Sequence, residues 1–268
     1  MRPVRPRRLK ALPFNRMIPN ILTLLALCAG LTSIRFALQE QWQFAVVALF
    51  AAAIFDGLDG RVARILKGTS KFGAELDSLS DFISFGVAPA IVLYLWTMQT
   101  WGKFGWLIVL IYSVCSALRL ARFNTNLDEP DTPAWAVNFF TGVPAPAAAA
   151  LVITPMVLSF QFSGTFMRHP AFVTFFLLTV ATLMVSRVPT FAMKKIKVAH
   201  NWVLPLMLII GLFAASIMTA PWATLLASGV IYVGSMPFSI RMYKKLELET
   251  AQEQGPSVVS DSDQTAAE

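Results

Sequence analysis

The strongest constraint on the fold is a series of apolar runs that recurs along almost the whole chain. A helical run of about 17 to 25 apolar residues crosses a hydrocarbon core of about 30 Å. Within lipid only helices and closed barrels pair all their backbone groups, and these runs lack the alternation of barrel strands. The sequence therefore predicts an all-α, polytopic transmembrane helix bundle with about eight spans. The predicted spans are roughly 18–36, 43–66, 77–98, 105–123, 144–161, 170–186, 201–219 and 222–242.

Composition supports a membrane protein and argues against an ordinary soluble domain. Hydrophobic residues make up 56% of the chain and charged residues only 14%, whereas roughly a quarter of the residues of a soluble domain are charged. Cys28 and Cys115 both lie in apolar runs, and two thiols are too few for a disulfide framework or a thiolate metal site.

The distribution of Lys and Arg tests this topology, because these residues collect in the cytoplasmic loops of membrane proteins. Of the 22 Lys and Arg residues, 19 lie at the two ends of the chain or in alternate predicted loops. The pattern predicts a multi-pass protein of the cytoplasmic or inner membrane with both termini in the cytoplasm. The net charge of +7 then reflects orientation and contact with anionic lipids, and it does not indicate nucleic-acid binding.

Two hydrophilic segments flank the apolar region. Residues 1–17 are rich in Arg and lack a convincing cleavage site. We interpret them as a basic, amphipathic juxtamembrane segment that contacts lipid headgroups or serves only to orient the first span. Residues 246–268 are rich in Glu, Gln, Ser and Asp and predict a disordered cytoplasmic tail. Residues 18–245 form the predicted transmembrane domain.

Four aspartates are concentrated between the second and third predicted spans. Asp56 and Asp59 are three residues apart, and Asp77 and Asp81 are four apart, so each pair shares one face of a helix. Acidic groups at a membrane edge are costly unless a cation or a ligand neutralises them. The spacing therefore predicts a functional site in which carboxylates from two helices converge.

Carboxylate oxygens are hard ligands that suit Mg²⁺ or Mn²⁺. Two such ions about 3.5–4 Å apart could hold a diphosphate and stabilise the leaving oxygen of a displacement. Gly60, Ala63 and Gly73 lie among the acids, and small residues let a flat base or a phosphate come close to the backbone. The sequence thus predicts a metal site with an adjoining nucleotide or phosphate site.

From Asp56 to Asp81 the chain meets every fixed position of the pattern D-x2-D-G-x2-A-R-x8-G-x3-D-x3-D. This pattern resembles the signature of the CDP-alcohol phosphatidyltransferase family. The resemblance implies a membrane enzyme that transfers a phosphatidyl group from CDP-diacylglycerol to an alcohol and releases CMP. It also implies a homodimer surrounded by membrane lipids.

The resemblance further implies a role for each site residue. Asp56, Asp59, Asp77 and Asp81 would be the metal ligands, and Asp81 would also accept the proton of the attacking hydroxyl. A carboxylate base is chemically sensible, because an alcohol is a poor nucleophile at neutral pH. The positions that contact CDP-diacylglycerol in the family correspond here to Asn20, Thr23, Gly60, Arg64 and Ser70, with Ala63 and Gly73 beside them.

Three segments outside this pattern narrow the resemblance. Residues 80–90, 117–124 and 184–190 resemble segments of bacterial integral-membrane phosphatidylserine synthases. L-serine is therefore the acceptor that the resemblance implies. Glycerol 3-phosphate and inositol phosphate remain alternative acceptors.

A site for serine needs a cation for the carboxylate of this zwitterion. Arg119 and Arg122 are three residues apart at a predicted span end and can point the same way. Either one could bind the carboxylate, or both could anchor the span and contact phosphate. Asn124 and Ser84 could supply neutral hydrogen bonds.

Two other classes of membrane protein also place acids among helices. Membrane prenyltransferases bind a metal-diphosphate with paired acidic motifs, but these motifs do not require the small residues and Arg64. A cation-coupled transporter would place its acids nearer the membrane midplane than the predicted topology does. Both are more remote alternatives.

Overall fold

The computed structural model of the protein describes residues 17–66, 68, 70–126, 139–162, 164–191 and 203–253. Most of these residues are helical. The α-helices are α1 (Met17–Leu38), α2 (Trp42–Ile65), α3 (Lys71–Asp81), α4 (Ala88–Trp96), α5 (Lys103–Asn126), α6 (Ala145–Val152), α7 (Thr154–Gln161), α8 (Pro170–Val185), α9 (Val203–Thr219) and α10 (Pro221–Glu253). Two 3-10 turns, Met98–Trp101 and Thr165–Arg168, lie between helices.

Helices coincide with all eight predicted apolar runs. Within the described ranges, four helical stretches are long and apolar enough to cross a membrane, namely Met17–Leu38, Lys71–Trp96, Lys103–Thr125 and Pro221–Leu246. Pro170–Val185 and Val203–Thr219 are shorter apolar helices. The helical character is thus confirmed, and the apolar helices are consistent with a membrane protein. The number of spans stays a prediction.

The structure differs from the sequence-based outline in the fifth apolar run. Two helices, α6 and α7, replace the single span predicted over 144–161, with the break at Ile153. Pro155 explains the break, because proline has no backbone N–H to donate to the carbonyl oxygen four residues earlier, and its ring clashes with that carbonyl.

A short β ladder is a second difference from the all-α prediction. Strand β1 (Phe139–Thr141) pairs antiparallel with β2 (Pro189–Phe191), and Thr190 lies opposite Phe140. The Thr190 hydroxyl donates to the carbonyl oxygen of Gly142 at 2.9 Å. This ladder brings the chain before α6 beside the chain after α8.

The predicted terminal segments are described only in part. Helix α10 continues to Glu253 and so passes the predicted start of the tail at residue 246. Residues 254–268 lie outside the described residues, as does the predicted basic segment apart from Met17.

Helix α1 packs through a stripe of small residues. Its buried positions recur every three or four residues, which is one face of a helix. Small side chains let membrane helices approach closely. At Gly30 an added Cβ atom would lie 2.8 Å from the Cα atom of Ser84. The buried positions of α1 are Pro19, Thr23, Ala26, Gly30, Ser33 and Ala37.

A π-helical segment, Phe82–Val87, follows α3 directly. Side chains of α5 bind two of its carbonyl oxygens: Tyr112 donates to Phe85 at 3.0 Å and Ser113 donates to Gly86 at 3.1 Å. Such segments leave backbone groups that other side chains must satisfy, and they are frequent at functional sites. The segment holds the end of α3, and hence Asp81, against α5.

The close approach of Gly30 to Ser84 generates the first prediction. Gly30→Ala should lower the free energy of unfolding by about 1 to 3 kcal/mol, because the added methyl group forces α1 away from the π-helical segment. Thermal or denaturant unfolding of the purified protein in detergent would measure the change. Gly211→Ala is the matched control, since a Cβ atom there meets none of the described residues within 4 Å. Equal stability of the two variants would contradict the proposed packing.

Candidate active site

Three of the four predicted aspartates converge at one point. Asp56 and Asp59 lie near the end of α2, and Asp77 lies on α3. Each of the three residues contributes one carboxylate oxygen, and these three oxygens all lie within 4.8 Å of one another. Asp59 is buried, and the other two are partly buried. The predicted convergence of acids from two helices is confirmed for these three residues.

Asp81 lies one helical turn further along α3 and does not belong to this triad. Its carboxyl group instead makes a hydrogen-bonding contact with that of Asp56, and it interacts electrostatically with Asp77 and Arg119. Two carboxyl groups in contact repel each other unless they share a proton or a cation. Asp81 therefore faces the triad from the side of α5.

The acidic cluster fits a metal ion on chemical grounds. Within the described part of the chain, Oδ1 of Asp77 and Oδ1 of Asp81 are buried without a hydrogen-bond partner. Burying an unpaired carboxylate oxygen is costly, and a hard divalent cation would satisfy it. The triad could hold such an ion through one oxygen from each residue.

Thr23 of α1 positions the most buried acid of the triad. Its hydroxyl donates to Oδ2 of Asp59 at 2.6 Å and also lies 3.1 Å from the carbonyl oxygen of Pro19. Ser80 of α3 in turn donates to the carbonyl oxygen of Thr23 at 3.1 Å. Thr23 thus joins α1 to both acid-bearing helices. Its predicted contact with CDP-diacylglycerol stays a prediction.

The amino end of α3 lies against the amino end of α1. Ser70 caps α3, because its hydroxyl accepts a hydrogen bond from the backbone N–H of Gly73 at 3.0 Å. A Cβ atom at Gly73 would lie 2.9 Å from Oδ1 of Asn20. From the sequence, the lack of a side chain at Gly73 predicts the close approach of a ligand. In the structure, the side chain of Asn20 takes up the space next to Gly73.

Among the described residues, none covers the surface of α2 next to the triad at Gly57 and Gly60. A Cβ atom at Gly60 would meet only Nη2 of Arg64 among them, at 4.0 Å, and one at Gly57 would meet none of them within that distance. Arg64 is exposed, and its Nε donates to the carbonyl oxygen of Gly60 at 3.2 Å. Ala63 is half-buried beside it. A ligand could therefore approach the triad over Gly60 and reach the terminal nitrogens of Arg64.

The two predicted acceptor arginines have different surroundings. Arg119 is buried, with only 8% of its surface exposed, and its Nε has no hydrogen-bond partner among the described residues. It lies in the electrostatic neighbourhood of Asp81. Arg122 instead donates through Nη1 to the carbonyl oxygen of Val185 at 2.8 Å, which ties α5 to the end of α8.

Asn124 and Ser84 both form hydrogen bonds within the protein. The Asn124 amide donates to the Ser78 hydroxyl at 3.0 Å. Ser84 is completely buried, and its hydroxyl donates to the carbonyl oxygen of Ala26 at 3.3 Å. Their predicted contact with an acceptor stays a prediction, and the described contacts join α5 to α3 and the π-helical segment to α1.

Sequence reasoning missed two residues near Arg119. Tyr232 of α10 interacts electrostatically with Arg119 and lies beside Thr190 of β2. A tyrosine in an apolar run carries no distinctive pattern, and the sequence did not predict β2. The available signal was a hydroxyl group in the middle of a predicted span, which alone does not separate a site residue from a packing residue.

Comparison with known proteins agrees with this geometry. The family model described as CDP-alcohol phosphatidyltransferase matches residues 16–176, which is more than half of the chain and includes all four acids. A second model, described as CDP-alcohol phosphatidyltransferase 2, matches residues 201–237.

Several curated relatives carry the name CDP-diacylglycerol–serine O-phosphatidyltransferase. The relative from Mycobacterium leprae (strain TN) is 42% identical over 236 residues, covering 88% of this chain and 78% of its own. The relative from Helicobacter pylori (strain ATCC 700392 / 26695) is 35% identical over 214 residues, covering 78% and 86%. The relative from Bacillus subtilis (strain 168) is 34% identical over 146 residues, covering 54% and 77%. With its acidic triad, its helical architecture and these matches, the chain belongs to the CDP-alcohol phosphatidyltransferase family.

Proposed function

We propose that the protein transfers the phosphatidyl group of CDP-diacylglycerol to the hydroxyl of L-serine, giving phosphatidylserine and CMP. The observation that carries this proposal is the triad of carboxylates within 4.8 Å beside an open surface of α2. The names of the relatives at 42% and 35% identity support serine as the acceptor.

Asp56, Asp59, Asp77 and Asp81 would hold Mg²⁺ or Mn²⁺, with two ions as the proposed number. Such ions would neutralise the diphosphate and stabilise the departing phosphate oxygen of CMP when bound. Thr23 contributes by orienting Asp59 through the 2.6 Å hydrogen bond. Outer partners of this kind fix the direction of a metal ligand.

The nucleotide end of the donor lies over Gly60 and Ala63, where α2 is open. The guanidinium of the exposed Arg64 can bind phosphate oxygens with two parallel N–H groups. Asn20, Ser70 and Gly73 form the neighbouring wall at the joined ends of α1 and α3. The acyl chains would then extend from this surface into the lipid.

Asp81 acts as the proton acceptor. The serine oxygen attacks the phosphatidyl phosphorus, the bond from that phosphorus to the CMP oxygen breaks, and CMP leaves with the bonding electrons. The serine hydroxyl proton passes to Asp81 Oδ1, which is buried and without a partner among the described residues. A positioned carboxylate contributes about 100-fold to 10,000-fold to such a step.

Arg119 binds the serine carboxylate. It is a buried cation near Asp81, so a serine bound there presents its hydroxyl to the base. Arg122 has the different task of tying α5 to α8 through Val185.

The membrane topology follows from the distribution of charge. Eight spans with a basic segment before the first would place both termini and the acidic cluster at the cytoplasmic face of the cytoplasmic or inner membrane. Water-soluble serine and CMP would reach the acids there, and CDP-diacylglycerol would arrive laterally through the lipid. Assembly as a homodimer is part of this proposal.

The proposed reaction predicts the outcome of an acceptor panel. Purified protein with CDP-diacylglycerol and Mg²⁺ or Mn²⁺ should release CMP and form phosphatidylserine when L-serine is added. Glycerol 3-phosphate and inositol phosphate should give little product at equal concentration. CMP release would be followed by chromatography and the lipid product by mass spectrometry. Exclusive use of glycerol 3-phosphate would overturn the choice of serine.

The proposed metal site predicts loss of activity with EDTA and recovery with Mg²⁺ or Mn²⁺. Asp77→Asn should lower activity and Mn²⁺ affinity by at least about 100-fold, because a direct ligand matters at least as much as its outer partners. Asp81→Asn should lower turnover by about 100-fold or more while retaining more of the Mn²⁺ binding. Turnover and electron paramagnetic resonance of Mn²⁺ would separate the two effects. Glu75→Gln, at an exposed position of the same helix, is the matched control and should behave as the unmodified protein.

The different contacts of the two arginines predict different defects. Arg119→Gln should raise the KM for L-serine by about 10-fold or more, because a buried charge is lost from its site. Arg122→Gln should affect the KM less and should lower the free energy of unfolding by about 1 kcal/mol, since a hydrogen bond between α5 and α8 is lost. Steady-state kinetics and thermal unfolding of both variants would measure this. A larger rise in KM for Arg122→Gln would reverse the assignment.

A further inference from the structure

A buried polar cluster lies next to the acids on the side of α5 and α10. Arg119 of α5, Tyr232 of α10 and Thr190 of β2 form it, with Tyr112 also close to Arg119. Arg119 exposes 8% of its surface and Thr190 exposes 2%. Residues from three separate parts of the chain therefore meet in a region from which water is largely excluded.

The polar atoms that are buried without a hydrogen-bond partner within the described residues include three groups of different chemistry here: Oδ1 of Asp81, Nε of Arg119 and the Tyr232 hydroxyl. Leaving a buried donor or acceptor unpaired costs the folded state its desolvation penalty. The three groups differ in chemistry, since one is an acceptor, one a cationic donor and one a neutral hydroxyl. A small ligand with both an anionic group and a hydroxyl would satisfy them together.

Of the three hydroxyls in this polar cluster, that of Tyr232 differs from the other two. Thr190 donates its proton to the carbonyl oxygen of Gly142 at 2.9 Å, and Tyr112 donates its proton to that of Phe85 at 3.0 Å. Within the described chain, only the Tyr232 hydroxyl of this group has a proton that is not committed to a carbonyl oxygen. The side chains of Tyr232 and Thr190 are in contact, but the contact does not meet hydrogen-bond geometry. The Tyr232 hydroxyl is therefore the one that can donate to a ligand.

Packing alone does not account for a tyrosine at this position. Tyr232 also lines an apolar cavity of about 270 Å³ that Phe50, Leu151 and Leu225 border. A phenylalanine ring would line that cavity equally well and would avoid burying a hydroxyl. The apolar cavity thus explains the aromatic ring of Tyr232, and it does not explain the hydroxyl.

We propose that the Tyr232 hydroxyl donates a hydrogen bond to the carboxylate of the acceptor amino acid, which Arg119 binds at the same time. This inference rests on the proposed function and adds Tyr232 as a residue that determines acceptor specificity. Arg119 is the buried cation among the described residues, and one cation matches a singly charged carboxylate better than a doubly charged phosphate. The acceptor hydroxyl then lies toward Asp81.

The test compares Tyr232→Phe with the unmodified protein, after serine-dependent CMP release by the latter has been established. We expect the KM for L-serine to rise about 10-fold or more, as for loss of a hydrogen bond to a charged group. The change in KM should exceed the change in kcat, and the KM for CDP-diacylglycerol should stay within about twofold, as small differences of binding energy allow. Tyr94→Phe is the matched control, because Tyr94 lies on α4 with its ring against Trp106 at 5.5 Å.

A second readout separates recognition of the carboxylate from a general structural defect. The unmodified protein should prefer L-serine to L-serinamide, which lacks the negative charge, and Tyr232→Phe should reduce this preference by about the same 10-fold factor. L-alanine, which keeps the carboxylate but has no hydroxyl, should become a correspondingly weaker competitive inhibitor. An equal loss with L-serine and L-serinamide, or an unchanged KM, would overturn the role of Tyr232. Absence of serine-dependent CMP release in the unmodified protein would instead contradict the proposed function.

Discussion

Repulsion among four carboxylates is the constraint that the rest of the structure has to offset. Oxygens of Asp56, Asp59 and Asp77 lie within 4.8 Å of one another, and Asp81 contacts Asp56. Two unit charges 4 Å apart interact by about 4 kcal/mol at the effective dielectric of a protein surface. The hydroxyl of Thr23 and the positive charge of Arg119 offset only part of this repulsion. All four groups can remain ionised carboxylates when a divalent cation or a bound cationic group neutralises them.

Helix α1 carries no acid, yet it determines where the acids lie. Thr23 binds the Asp59 carboxylate and receives a hydrogen bond from Ser80, so one residue fixes α2 and α3 to the same helix. Further along α1, Gly30 allows Ser84 to approach until no room remains for a methyl group. Small residues on α1 therefore produce the short distances between helices that a shared metal site requires.

The parts of the fold that depend on local sequence could be predicted, and the parts that depend on tertiary contacts could not. Apolar runs predicted where helices lie, and the spacing of Asp56, Asp59 and Asp77 predicted that they converge. The start of α3 at Lys71 was missed, because this helix is polar and hydropathy alone does not detect it. The β ladder was also missed, since its two strands, Phe139–Thr141 and Pro189–Phe191, pair only after distant parts of the chain have packed together. The same holds for the contact between Thr190 and Tyr232.

The donor site and the acceptor site are built from different parts of the sequence. In the proposed reaction, a diphosphate donor needs cations held by several carboxylates at fixed spacing. A contiguous stretch from α2 to α3 supplies these carboxylates, so a local sequence pattern can identify the donor site. A small acceptor needs only a few hydrogen bonds, and here they would come from α5 and α10, which are far apart in sequence. Substitutions around Arg119 and Tyr232 could therefore alter the acceptor while the acids stay unchanged. Loss of an acid, in contrast, would remove the reaction for every acceptor, because the donor is common to all of them.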